Sequence, residues 1–204
     1  MQPSASLTIS DLWIERGERD LCRDLSFQVA SGDVVRILGE NGAGKSSVLK
    51  VIMGTLSPLE GKISYSGEDV TFDRSPLQRD AIYLGHSTGV KRLLTVVENL
   101  RWYCPDASLK ELHCVLEKLE LIDHMDELVK KLSAGQIRRV ALARLWLTNK
   151  PLWLLDEPFA SLDASGVGLL EERINTHTLS GGIVVLTTHQ DLLSIASRDV
   201  ALTS

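Results

Sequence analysis

The apolar positions of this chain change period along its length. Leu7 and Ile9, then Leu12 and Ile14, sit between polar residues, and Leu25, Phe27 and Val29 alternate with Ser26, Gln28 and Ala30. A period of two puts one face of a strand in a core and the other in water, so the first 38 residues read as β structure. Ser31-Gly32-Asp33 is a turn, and Val34-Val35-Arg36-Ile37-Leu38 is a β-branched run that enters a glycine-rich loop at residues 39–44. Residues 46–55 then show helical spacing, with Val48, Leu49, Ile52 and Met53 on one face. Strand, glycine loop and helix in that order open a parallel α/β sheet. A short hairpin is predicted over 61–72 and a further strand over 80–84.

From Leu93 the spacing is helical throughout. Segments 94–103, 108–120, 125–131 and 135–148 carry it, the last with Ile137, Val140, Ala141 and Leu145 on one face. This block has no strand signal. Strand signals return at 152–155 and 183–186. The pattern predicts a single domain over residues 1–204, with an α/β core at 1–85 and 150–204 interrupted by a helical lobe at 86–149. No internal repeat or low-complexity tract is evident.

Composition narrows the class. A chain of 204 residues suits one domain, or one domain with an inserted lobe. That length buries roughly 70% of the unfolded surface, so no disulfide or metal clip is required. Cys22, Cys104 and Cys114 are odd in number and lack metal-ligand spacing, which suits reduced thiols in the cytosol. The net charge of -5 argues against nucleic acid or an anionic membrane surface as the main partner. Residues 1–6 are neither basic nor apolar, and no window of 18 residues is apolar enough to span a bilayer. The expectation is a soluble intracellular protein without a secretory signal.

Two stretches carry candidate chemistry. Gly39-Glu40-Asn41-Gly42-Ala43-Gly44-Lys45-Ser46 fits the pattern G-x-x-x-x-G-K-[ST]. Its glycines let several backbone N–H groups converge on one anion, and the following helix adds its positive end. Lys45 can reach the β- and γ-phosphates, and the Ser46 hydroxyl can ligate Mg²⁺. The alternative is a glycine turn with an incidental Lys-Ser pair. In Leu152-Trp153-Leu154-Leu155-Asp156-Glu157, an apolar run suited to a central parallel strand ends in two carboxylates. Ligands sit beyond the carboxyl ends of such strands, where Asp156 would partner Mg²⁺ and Glu157 would polarise an attacking water. The alternative here is a helix start at Asp156-Glu157-Pro158.

Leu132-Ser133-Ala134-Gly135-Gln136 resembles the LSGGQ motif of the ATP-binding cassette (ABC) family, with Ala134 in place of the first Gly. Ser161-Leu162-Asp163 resembles that family's D-loop, and His189 in Thr187-Thr188-His189-Gln190 resembles its switch histidine. Five such motifs in order span nearly the whole chain. The resemblance implies a P-loop ATPase core with a parallel sheet, an N-terminal antiparallel β subdomain and an inserted helical subdomain. It implies ATP as substrate with Mg²⁺, held by residues 39–46 and Ser47. It also implies a head-to-tail homodimer in which Ser133, Ala134, Gly135 and Gln136 of one subunit complete the ATP site of the other. Asp163 would communicate across that interface, and His189 would orient the γ-phosphate, Glu157 and water.

Some positions depart from the family pattern. His86 stands where a Gln usually ends the strand leading into the helical lobe; imidazole is a poor Mg²⁺ ligand, so contact through water or to a partner is expected. Arg16 stands where an aromatic residue usually stacks on adenine, with Trp13 nearby. Gly85-His86, Thr88-Gly89-Val90-Lys91, Arg138-Arg139-Val140-Ala141-Leu142-Ala143-Arg144-Leu145-Trp146 and Thr188-His189-Gln190-Asp191-Leu192 resemble the ATPase subunits of the bacterial cytochrome c maturation system, a haem-exporter group. That resemblance implies an integral membrane partner subunit, a peripheral position on the cytoplasmic face of the inner membrane, and only an indirect relation to haem or a haem carrier. The same family includes ATPases of other transporters and soluble ATPases acting on nucleic acid or ribosomes. Cys104-Pro105 reads as a helix stop rather than a haem ligand. Arg138, Arg139 and Arg144 are expected to form a solvated basic face.

Overall fold

The computed structural model describes residues 5–17, 19–192 and 194–202, which form two compact units. One comprises Met1–His86, Lys150–Pro158 and Ile174–Ser204, the other Ser87–Asn149 and Phe159–Arg173.

The first unit holds two sheets. Strands β1 (Leu7–Arg16), β2 (Arg19–Val29), β4 (Glu60–Tyr65) and β5 (Glu68–Asp69) form an antiparallel sheet in the order β2-β1-β4-β5. The buried positions of β1 shift from odd (Leu7, Ile9) to even (Leu12, Ile14), because the register with β2 slips between Ile9 and Leu12. Asp11 sits at this irregularity with φ 49°, its amide donating to Ser26 Oγ at 2.8 Å. An extra residue in one strand reverses which face later side chains point to.

The second sheet is parallel. Strands β3 (Val34–Leu38), β6 (Ala81–Leu84), β7 (Leu152–Asp156), β8 (Ile183–Thr187) and β9 (Arg198–Ala201) lie in the order β6-β7-β8-β3-β9. Every residue of β7 and β8 is buried, which accounts for their unbroken apolar runs. Because all five strands run the same way, the ends of β3, β7 and β8 open on one edge. Helix α1 (Lys45–Met53) follows β3 and buries Val48, Leu49, Val51 and Ile52. Helix α2 (Ser75–Asp80), which the pattern did not predict, precedes β6.

The second unit is helical. Helices α3 (Val96–Tyr103), α4 (Leu109–Lys118) and α5 (Ala134–Leu142) each begin with a reciprocal capping box, made by Thr95 with Glu98, Ser108 with Glu111, and Ser133 with Gln136. The segment expected as a helix at 125–131 contributes only a 3₁₀ turn, Val129–Lys131, and Leu128 makes an isolated antiparallel bridge to Thr95. Helix α3 ends at Tyr103, before Cys104-Pro105. Helix α6 (Ala164–Leu179) was not predicted: apolar residues are sparse and unevenly spaced along it.

The expected solvated basic face is corrected. Arg138, Arg139 and Arg144 are 4%, 7% and 8% exposed. Arg139 pairs with Asp163 and Glu120 and donates to the Leu119 carbonyl. Arg144 donates to the carbonyls of Ala141 and Thr88 at 2.9 Å and lies over the Tyr103 ring. A planar guanidinium with several fixed donors can be buried where carbonyls and carboxylates meet it.

Candidate active site

The loop after β3 is shaped by left-handed glycines. Gly42 and Gly44 have φ of 84° and 96°, and a Cβ on Gly44 would meet the Leu21 Cβ at 2.8 Å. The loop leads directly into the N-terminus of α1, where unpaired amides attract an anion. Lys45 is 8% exposed. Its ammonium donates to the carbonyls of Gly39 at 2.7 Å and Glu40 at 3.1 Å, and meets His189 Nε2 at 3.0 Å. An ammonium has no lone pair, so His189 Nε2 is the acceptor in this contact.

Asp156 ends β7 and is 2% exposed. Its Oδ1 accepts from Ser46 Oγ at 2.9 Å and from Thr187 Oγ1 at 2.8 Å. The next residue, Glu157, has φ 47° and begins no helix, since α6 starts only at Ala164; the helix-start alternative for this stretch is not the one adopted. His189 Nε2 lies 3.7 Å from Glu157 Oε1. The half-buried Tyr83 phenol is pushed up to about 12, chiefly by burial and also by the Asp156 charge, so it stays neutral beside this carboxylate.

Lys45, Ser46, Asp156, Glu157 and His189 line one cleft with a volume of about 460 Å³. It brings together Arg16, Glu40, Asn41, Gly42, Gly44, Lys45, Ser46, Ser47, His86, Asp156, Glu157 and His189, along with Leu21, which sequence reasoning did not single out. Gly39 and Ala43 belong to the loop without lining the cleft; the Gly39 carbonyl serves Lys45. Trp13 is engaged outside the lining, its Nε1 donating to Asp20 at 2.7 Å and its ring lying beneath Arg23. Thr187 was also missed as a candidate. Its only sequence signal is a hydroxyl residue closing an apolar strand two positions before His189.

The remaining candidates belong to the second unit. Ser133 Oγ accepts the Gln136 amide at 3.2 Å, which leaves the hydroxyl proton available to an anion. The Gln136 side chain accepts from Ser133 N at 2.9 Å and meets His124 Nε2 at 2.9 Å. Ala134 and Gly135 form the first turn of α5, and a Cβ on Gly135 would lie 3.0 Å from the Ser161 carbonyl. Asp163 accepts from Arg139 at 2.8 and 3.0 Å and from Gly166 N at 2.9 Å. The Gly166 amide and the Arg139 guanidinium hold its carboxyl below the usual range.

The metal reading fits the donors present. A hydroxyl and a buried carboxylate in contact are hard oxygen donors of the kind Mg²⁺ takes. Among the described residues no group of three His, Cys, Asp or Glu could hold a metal ion.

A phosphate loop after β3 of a parallel sheet, with an acidic pair at the end of β7, one strand removed across β8, defines a P-loop ATPase. A family model described as "ABC transporter" matches residues 22–160, and the chain belongs to that family as its ATP-hydrolysing, energy-coupling subunit. Over 200 residues it is 42% identical to the "Cytochrome c biogenesis ATP-binding export protein CcmA" of Mannheimia succiniciproducens, covering 96% of this chain and 93% of that protein. The protein of the same name from Salmonella typhi is 45% identical over 201 residues, covering 97% of each chain. The structure resembles a putative ABC transporter ATP-binding protein from Pyrococcus furiosus, with TM-score 0.83, 27% identity and 97% of each chain covered. No helix among the described residues is long and apolar enough to cross a membrane.

Proposed function

We propose that this subunit hydrolyses ATP to drive a membrane-embedded partner in c-type cytochrome biogenesis, at the cytoplasmic face of the bacterial inner membrane. The system-level part rests on the names of the relatives above. The catalytic part is carried by one observation: Lys45, Ser46, Asp156, Glu157 and His189 converge on a single cleft.

The loop amides and the α1 N-terminus bind the phosphates, and Lys45 leaves its carbonyl and imidazole partners to reach them. Ser46 and Asp156 would hold Mg²⁺, which supplies charge neutralisation on the phosphates. Glu157 accepts a proton as water attacks the γ-phosphorus and the bond to the bridging oxygen of ADP breaks. Once Lys45 turns to phosphate, His189 is free to align Glu157 and the γ-phosphate. Arg16, which lines the cleft and has a planar group able to stack, is the candidate for the base. His86 contacts water or the partner rather than the metal.

Two subunits close head to tail, Ser133 and the Gly135 amide of one facing the γ-phosphate of the other, with Asp163 at the junction. The free hydroxyl proton of Ser133 supports this role. Haem or a haem carrier meets the membrane partner rather than this chain, and nucleic acid is not a partner.

Glu157→Gln tests the assignment. Turnover should fall by about 10²–10⁴-fold with ATP binding retained, and the ATP-bound protein should elute as a dimer. Normal turnover would overturn the role of Glu157. The native protein should co-purify with a multi-span membrane protein; recovery only with ribosomes or DNA would favour the soluble alternative.

A further inference from the structure

We propose that Thr187 is a positioning residue that locks the metal-side and base-side carboxylates into one unit through its hydroxyl. The inference deepens the ATPase reading above and rests on it. Thr187 closes β8 directly opposite Asp156 in the parallel register and is 0% exposed. Its hydroxyl donates to Asp156 Oδ1 at 2.8 Å and accepts the Glu157 amide at 2.9 Å. The polarity has one solution: an amide only donates and a carboxylate only accepts, so the single hydroxyl proton goes to Asp156 and a lone pair faces Glu157. The same amide also reaches the Thr187 carbonyl at 3.1 Å.

Glu157 needs this support. Its φ of 47° is left-handed, a conformation that a residue with a Cβ adopts only when its surroundings hold it there. The double grip on its amide fixes that backbone and with it the direction in which the carboxylate leaves the strand. On the other side, Ser46 shares Asp156 Oδ1 but must serve metal and nucleotide in turn. Thr187 has no such second duty and holds Asp156 through the cycle. The neighbours of Thr187 along β8 are Ile183, Val184, Val185 and Leu186, all buried, so a valine would fill this position better if packing were its purpose.

The test compares Thr187→Val, Thr187→Ser and Glu157→Gln in the full chain. Thr187→Val keeps the shape and should unfold somewhat below the wild-type temperature through its lost buried hydrogen bonds, bind ATP normally in EDTA, and lose about 10–100-fold in kcat with KM little changed, the range seen when an outer support of a metal ligand is removed. Its affinity for Mn²⁺ with bound ADP, read by electron paramagnetic resonance, should fall together with kcat. Thr187→Ser, which restores the hydroxyl, should recover most of both. Wild-type kcat and Mn²⁺ affinity in Thr187→Val would overturn the proposal. Equal losses in the Val and Ser variants would also overturn it, since the loss would then not follow the hydroxyl. Should Thr187→Val not fold, Thr187→Ala against Thr187→Ser decides the same question. Normal turnover in Glu157→Gln would instead sink the underlying site assignment, so the two failures are distinguishable.

Discussion

At the residue scale, the site depends on positions where only one side chain works. Gly44 combines φ of 96° with a Leu21 Cβ that would stand 2.8 Å from any added Cβ. A left-handed conformation costs a residue with a Cβ about 1–2 kcal/mol before that clash is counted. Gly44→Ala should therefore lose nucleotide binding at least tenfold, or about 1.4 kcal/mol, in a fluorescent-nucleotide titration. His86→Gln should leave ATP affinity unchanged, because an imidazole at this position is not expected to hold the metal. Loss of nucleotide binding in that variant would overturn the reading of His86. Cys104 is half-buried, and burial pushes its thiol up, which disfavours the thiolate that haem iron would require.

At the element scale, the second unit separates structure from function through its caps. Ser108 and Ser133 make the same capping box at the starts of α4 and α5. Removing either hydroxyl should cost about 1 kcal/mol of stability. Ser108→Ala should stop there, with hydrolysis unaffected. Ser133→Ala should match it in thermal denaturation and, if the proposed head-to-tail contact to the γ-phosphate forms, should in addition lower ATP turnover. Equal turnover in the two variants would remove Ser133 from the composite site. The salt bridge from Arg139 to Asp163 ties the D-loop to α5 within the same unit, so a change at either residue should alter the presentation of both motifs.

At the scale of the whole molecule, long-range polar contacts close the first unit. Arg36 on β3 grips Asp199 on β9 through two hydrogen bonds of 2.8 Å, and donates to the Gln190 carbonyl beside His189 at 3.1 Å. Hydrogen bonding to Arg36 holds the Asp199 carboxyl below its ordinary value. A lowered folded-state value means that the stabilisation is complete above the unfolded value of about 3.9 and is lost as pH falls through the folded one. The difference in Tm between wild type and Asp199→Asn should thus be steady near neutrality and shrink as pH falls below about 4. A difference that grew on acidification would refute the pairing. What the sequence by itself determined is whatever one contiguous stretch can specify: the phosphate loop with its glycines, the apolar strands β3, β7 and β8, the carboxylate pair, and the capped helices. Each is set by backbone conformation and periodicity within a few residues. Tertiary structure alone decided the edge strand β9, whose four residues, two of them charged, form a strand only because β3 offers them hydrogen bonds. It also decided the burial of three arginines, of which Arg139 and Arg144 meet carbonyls or carboxylates from elsewhere in the chain, and the position of Thr187 opposite Asp156, 31 residues away. The reason is common to all three: a hydroxyl, a guanidinium or a bare strand edge takes its meaning from the partner it meets, and the partner arrives only when the sheet is assembled.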